Sequence, residues 1–269
     1  MSIVVSVKVR DGIVLGADSM SQIYLKNPQG IAAVAQTYSN AQKLFEVVGL
    51  PIGIMVYGAG NIGKRSVQGL LEDFSSTVAK ENNQQSNGVE EVTRKLLQFL
   101  QRIYKQLGQD MKDKKQPLVG VFVGGYSGLS STSDDISFPE EWEFQIPQKP
   151  EVTPVRPKEM FGASWRGVTL PFTRLNMGID PRIWEELKKL KVDQSVIDKM
   201  KDSVKSQVVY DAMPLQDAIN FAHHIMRTTV NHTTFELGPP ACGGPLDIAV
   251  IRKISGFKWV TERKMTVQL

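Results

Sequence analysis

Ser2 and Asp18 are the first residues of this chain whose types and spacing point to chemistry. Methionine is generally removed ahead of a small second residue, so a mature chain starting at Ser2 carries a hydroxyl nucleophile and a free α-amine on one residue. An α-amine titrates at about 7.7 to 8.0, so near neutral pH a usable fraction is unprotonated. That amine can take the hydroxyl proton directly or through a water. Between the two residues lie an apolar run from Ile3 to Val9, a turn at Asp11-Gly12 and a second run from Ile13. A three-residue loop, Arg10-Asp11-Gly12 with Gly12 left-handed, pairs Val9 with Ile13 and Val4 with Asp18. Ser2 and Asp18 then share a face as diagonal neighbours about 7 to 8 Å apart. One lysine ammonium spans such a gap. A two-residue loop pairs Asp18 with Val5 and turns the carboxylate to the other face.

The elements that must hold such a pair read as strands, then helices, then strands. Lys43 to Val48 and Ile52 to Tyr57 are strand-like around Gly49-Leu50-Pro51. Residues 61 to 80 place Ile62, Val67, Leu70, Leu71, Phe74 and Val78 on one helical face, with Asn61 as cap. After the polar linker from Asn82 to Gly88, a second helix runs to about residue 112. Its stripe is Val89, Val92, Leu96, Leu97, Leu100, Ile103, Tyr104 and Leu107. Leu118 to Gly125 is an apolar strand, and Leu246 to Ile254 with Phe257 to Val260 forms a closing hairpin at Ser255-Gly256. Runs of strands flanking paired helices indicate layers, an α+β class, rather than alternating βαβ units. From 127 to 160 only Trp142 to Ile146 reads as a strand. Asp180-Pro181 starts a helix by capping and N1 logic, with Ile183, Trp184, Leu187 and Leu190 inward. Residues 178 to 212 read as a helical insertion, and Pro214 to Thr229 as a core helix.

Ser2 to Lys8, the Asp-Gly turn, Val14 to Ser19, Gln42 to Val47 and Gly53 to Ala59 together resemble a proteasome β-type subunit or bacterial proteasome-like protein, of the N-terminal nucleophile hydrolases. The resemblance covers residues 2 to 126, apart from the loop at 22 to 40, and returns at 214 to 262. It implies one domain over 1–269, a four-layer αββα sandwich with a divergent or inserted region at about 127–213. It places the family's nucleophile on Ser2, its essential lysine on Lys43 and the partner carboxylate on Asp18. The oxyanion glycine falls on Tyr57 without a gap, but the residue chemistry favours Gly58. Met55 takes the base of the pocket for the side chain before the scissile bond, with Ser21 and Ala59 as walls. This implies a preference for small or medium apolar residues. The supporting residues are altered: Cys242 replaces an accessory serine, Ala163 stands where another belongs, with Ser164 beside it, Pro239 replaces an aspartate and Met20 an arginine. The implied activity is peptide-bond hydrolysis in a self-compartmentalising ring, acting on unfolded proteins or peptides, with an ATP-dependent unfoldase as a possible partner. A structural ring subunit without activity is the alternative.

Composition constrains other classes. Among 269 residues, 41% are hydrophobic and 22% charged, as in an ordinary globular protein. With 32 basic against 28 acidic residues, the net charge of +4 is too balanced to indicate nucleic acid, and the Lys112, Lys114, Lys115 cluster reads as a solvated helix end. The single cysteine, Cys242, allows no intrachain disulfide and points to a reducing cytoplasm. No uncharged apolar stretch reaches the about 18 residues of a membrane span, so no membrane partner is expected. No cofactor or metal is expected: His223 and His224 are about 100° apart on a helix and cannot share an ion as an i, i+4 pair would. Gly58-Ala59-Gly60-Asn61-Ile62-Gly63-Lys64 imitates a phosphate-binding loop, which makes nucleotide binding a further alternative. Arg65, however, stands where a Mg²⁺-binding hydroxyl is needed.

Overall fold

The computed structural model describes residues 2–26, 32–81, 88–106, 118–127 and 137–261. The first sheet contains β1 (Ile3–Val9), β2 (Gly12–Asp18), β12 (Gly162–Gly167), β13 (Leu246–Arg252) and β14 (Gly256–Thr261), in the antiparallel order β12-β1-β2-β13-β14. The second contains β5 (Leu44–Glu46), β6 (Ile52–Gly58), β9 (Val119–Gly125), β10 (Glu140–Ile146) and β11 (Lys149–Pro154), ordered β11-β10-β9-β6-β5. Two short ribbons stand apart from both sheets: β3 (Ser21–Lys26) with β4 (Ala32–Tyr38), and β7 (Asn61–Ile62) with β8 (Arg65–Ser66). The helices are α1 (Val67–Glu81), α2 (Val89–Gln106), α3 (Leu170–Met177), α4 (Ile183–Lys189), α5 (Gln194–Val204) and α6 (Leu215–Thr234).

Three apolar clusters show how these elements pack. One joins Val4, Ile13, Leu15 and Ala249 of the first sheet to Leu44, Met55, Tyr57 and Phe122 of the second. A second sets the stripes of α1 and α2 against Ile54, Val56, Val121 and Val123. The third sets α6 and Phe172 of α3 against Ile3, Val5, Val7, Val14 and Val250. Every residue of β1 and β2 is therefore buried, because both of their faces are covered. From Val67 onward the stripes expected for the paired helices are the buried faces of α1 and α2, whereas Ile62, expected on the first stripe, is buried from β7. Leu107, residues 82–87 of the linker and the 112–115 lysines lie outside the described residues.

Several boundaries differ from the expectations. The β1–β2 turn has two residues, Arg10 and Asp11: Val9 pairs with Gly12 and Val4 with Ala17. Gly12 is required for close approach rather than for a left-handed turn, since a Cβ there would lie 2.8 Å from the Ile251 carbonyl oxygen. Helix α1 starts at Val67, not at an Asn61 cap. Residues 61 to 66 fold back as the β7–β8 ribbon, and the Ser66 hydroxyl accepts the Gly69 N–H at 3.1 Å. The 127–213 region is no mere insertion: besides β10 it supplies β11 and β12, and β12 pairs along β1. Each of these edge strands has only one or two apolar side chains on its inner face, Val152 in β11 and Ala163 and Trp165 in β12, which hides them from an apolar count. Helix α4 begins at Ile183, after a turn in which the Asp180 carboxylate accepts the Arg182 N–H at 3.0 Å. Of its expected inner face only Trp184 is buried, while Leu190 is exposed.

Polar groups also lie along β1. Ser6 donates to Glu141, and Arg156 donates to both Glu141 and Ser164, tying β1, β10 and β12 together. Lys8 is fully buried, and its Nζ donates to the Lys158 carbonyl at 2.6 Å. Burial lowers the Lys8 ammonium to about 8, with Glu141 opposing the shift and Arg156 adding to it. Between pH about 8 and 10.5 the unfolded chain holds this proton and the folded chain does not, so this group adds stability as pH rises through that window. Urea unfolding of wild type and Lys8→Met at pH 7 and pH 10 should show a wild-type gain, relative to the variant, of up to about 3 kcal/mol.

Candidate active site

Carried one residue beyond the Val4–Ala17 pair, the β1–β2 register sets Ile3, not Val4 or Val5, opposite Asp18. This decides the geometry at the chain start. Asp18 is fully buried and each of its carboxylate oxygens accepts two hydrogen bonds. Oδ1 accepts from Lys43 Nζ at 2.8 Å and from the Ile3 N–H at 3.0 Å. Oδ2 accepts from the Met20 N–H at 3.2 Å and the Gly243 N–H at 3.0 Å. Lys43 Nζ also donates to the Met20 carbonyl at 2.5 Å. Ser2, Asp18 and Lys43 are thus brought to one corner, although the two-residue turn is not the loop expected to do it. The carboxylate reaches Ser2 through the following peptide, whose N–H it accepts.

The other end of that peptide is held as well. The Ser2 carbonyl accepts the Val168 N–H at 2.7 Å, just past the end of β12. Gly167 has φ +85°, and a Cβ on it would sit 1.9 Å from the Ser2 carbonyl oxygen, so only glycine permits this contact. Gly167 and Val168 are the functional neighbours that sequence reasoning missed. The available signal is a glycine after the Ala163-Ser164 pair, four positions from where support was sought. Ala163 and Ser164 pair with Val7 and Ser6, not with the start of β1, and Ser164 is engaged by Arg156. They are therefore not accessory to Ser2, which is a correction. Pro239 is exposed on the 235–240 loop and supplies no group to the site.

Cys242 lies where the glycine turn closes over Asp18. Its Sγ is 3.6 Å from Thr233 Oγ1, and burial pushes the thiol up to about 11. It is therefore a protonated packing group near neutral pH rather than a nucleophile. Next to it, the Gly243 carbonyl accepts the Ser19 N–H at 3.1 Å, while Ser19 Oγ donates to Ser39 and Pro245 carbonyls at 2.7 and 2.8 Å.

Gly58 ends β6, and the next N–H, that of Ala59, is taken by the Leu118 carbonyl at 2.7 Å. Ser21 lies beside the same turn, its Oγ 3.9 Å from the Cβ position of Gly60. Met55 has no exposed surface and fills the layer between the sheets, which corrects its expected place as the floor of an open pocket. Tyr57 is also buried, its hydroxyl accepting from Gln145 at 3.0 Å. Lys64 sits in the turn of the β7–β8 ribbon, so the glycine-rich stretch does not open directly into a helix N-terminus as a phosphate loop does. Among the described residues no group of three or more His, Cys, Asp or Glu is arranged to hold a metal ion, and no helix is long and apolar enough to cross a membrane.

No protein-family model and no curated protein sequence matches the chain. Solved structures do. A helical assembly of the Anbu complex from Pseudomonas aeruginosa aligns over 97% of this chain and 88% of its own, with TM-score 0.56 and 16% identity. An Anbu mutant from Hyphomicrobium sp. strain MC1 aligns over 98% and 86%, with TM-score 0.55 and 12% identity. The chain folds like Anbu. Anbu is a bacterial proteasome-like protein, so the similarity agrees with the proteasome-like architecture expected from the residues around Ser2, Asp18 and Lys43. At this identity it speaks for the fold, which is mixed α and β with antiparallel sheets.

Two outcomes check the site as described. Asp18→Ala should destabilise the protein by about 3 to 5 kcal/mol in urea, because it removes one partner of a buried ion pair. Cys242 should react with a thiol reagent at pH 8 only in denatured protein, which absorbance of the released thiolate reports.

Proposed function

We propose that the chain is a subunit of a self-compartmentalising N-terminal nucleophile peptidase that cuts unfolded proteins or peptides, with Ser2 as nucleophile once Met1 is removed. The observation that carries this reading is the Asp18 carboxylate, which binds both Lys43 and the peptide that follows Ser2. In the proposed reaction Ser2 Oγ attacks the substrate carbonyl carbon and its proton passes to the freed α-amine. Lys43 keeps that amine neutral through its positive charge. The amine returns the proton to the leaving nitrogen as the scissile C–N bond breaks, and water then hydrolyses the ester on Ser2. Gly58 is the proposed oxyanion donor, and Ser21 and Ala59 flank the substrate. We read the whole chain as a single domain and the packing of helices on two sheets as a four-layer αββα sandwich. The working form is a homo-oligomeric ring in the cytoplasm, fed by an unfoldase.

A second reading, a structural ring subunit without turnover, is favoured by one set of observations. The hydroxyl and carboxylate that would support the reacting groups are replaced by the Cys242 thiol and by an exposed Pro239. A looser site loses rate without losing its fold. The nucleotide alternative has lost its main support, since the Gly58–Lys64 stretch runs into a β-ribbon.

Fluorogenic peptides separate the first two readings. Protein shown by mass to start at Ser2 should cleave them, Ser2→Thr should retain turnover, and Ser2→Ala should reduce it by about a thousandfold or more. Turnover that survives Ser2→Ala excludes this nucleophile. Its absence from wild type starting at Ser2 favours the structural subunit.

A further inference from the structure

Two of the donors on Asp18 arrive from exposed chain. Lys43 and Gly243 are buried, yet Ser39 and Asn40 ahead of the one, and Gly244 and Pro245 after the other, are exposed. These segments meet at Ser19, which is fully buried next to Asp18 and turns each of its polar groups to them. Its N–H donates to the Gly243 carbonyl at 3.1 Å, and its carbonyl accepts the Ala41 N–H at 2.9 Å. Its hydroxyl proton is shared between the Ser39 carbonyl at 2.7 Å and the Pro245 carbonyl at 2.8 Å. The two backbone bonds are open to any residue at this position, but the bridge between Ser39 and Pro245 needs the hydroxyl. Gly244 has φ +75°, and a Cβ on it would lie 2.6 Å from Ser19 Oγ and 2.7 Å from the Ser39 carbonyl oxygen, so this glycine leaves room for the bridge. Of the glycine pair, Gly243 serves Asp18 and Gly244 serves Ser19.

We propose that Ser19 is a positioning residue: its hydroxyl clasps the chain entering Lys43 to the glycine turn, and so holds Lys43 Nζ and the Gly243 N–H on the Asp18 carboxylate. The clasp acts through Lys43 and does not touch substrate. A lysine stem is flexible, so its ammonium reaches both Asp18 Oδ1 and the Met20 carbonyl only from a fixed backbone. Small displacements matter, because a misplacement of about 1 Å can cost about a hundredfold in rate. The consequence for reactivity rests on the reading of Ser2 as nucleophile; the consequence for the corner around Asp18 does not. Without the hydroxyl, the Ser39 and Pro245 carbonyls turn to water and the two segments part. Lys43 then bears less firmly on the Ser2 amine, which keeps its proton to higher pH.

Residue-resolved hydrogen exchange and the pH dependence of acylation by a β-lactone, both on the full chain starting at Ser2, test this together. In Ser19→Ala the Met20, Ala41 and Gly243 amides should exchange about tenfold or more faster relative to the Ile225 and Met226 amides of α6. The acid limb of acylation should move up by about half a pH unit or more. Ser19→Cys, with a poorer donor, should fall between wild type and Ser19→Ala. Ile103→Val, which thins the packing of α2 away from the corner, should lower thermal stability and leave the exchange ratio and the acid limb unchanged. Corner amides that exchange no faster than those of α6, or an acid limb that stays in place while they do, overturn the proposal. So does an equal change in Ile103→Val, or loss of fold in both serine variants, which would assign Ser19 to folding alone. If wild type starting at Ser2 is not acylated, the nucleophile reading falls, and the exchange ratio by itself upholds or overturns the clasp.

Discussion

One buried carboxylate holds the candidate site together. Asp18 ends β2, has no contact with water, and is satisfied by four donors from four places in the chain. Removing an ion pair from water is costly, and the cost is recovered only where geometry and further hydrogen bonds satisfy the charges. Three backbone N–H groups and one ammonium do so here. Each donor must also be delivered by its own element: Ile3 by β1, Lys43 by the lead into β5, Met20 by the chain leaving β2, and Gly243 by the turn before β13. The sheet register, the glycine turn and the second sheet's placement are all constrained through one side chain.

From that point the N-terminal peptide has little freedom. Its N–H belongs to Asp18 and the Ser2 carbonyl to Val168, so both polar groups that link Ser2 to Ile3 are committed. Preorganisation of this kind is what a nucleophile beside an ammonium requires, since reorientation during reaction would add to the barrier. The same fixing would also serve a purely structural corner. What distinguishes the two is whether a free amine exists on Ser2, because Lys43 has a catalytic role only if there is a base for it to tune.

Much of this is legible in residue order. The helical stripes of α1 and α2 emerge from periodicity because one face of each is packed and the other is wet. Asp18 and Lys43 are legible through resemblance, and the Cys242-Gly243-Gly244 turn lies beside Asp18, where the resemblance leads one to look. Other features are hidden for physical reasons. The close approach of the Ile251 carbonyl to Gly12, the first residue after the two-residue turn, is a tertiary contact with no local signature. Strands β11 and β12 are short edge strands whose alternation is carried by only one or two apolar side chains, Val152 in the one and Ala163 and Trp165 in the other, amid proline and glycine that read as turn, so the pattern does not announce them. Gly167 looks like any glycine until the strand beside it is known. Ser164 looks like a supporting hydroxyl, but the pairing of Ser6 with Ser164 commits it to the Arg156 and Glu141 cluster instead.

The central claim is that Ser2 carries both the nucleophile and its base. The most direct measurement is peptide mass spectrometry of the native protein after treatment with an acylating β-lactone probe. The account predicts an N-terminal peptide that begins at Ser2 and carries one acyl group on its hydroxyl, with Lys43→Met protein unlabelled. A retained Met1, or a label found elsewhere with Ser2 unmodified, would contradict it.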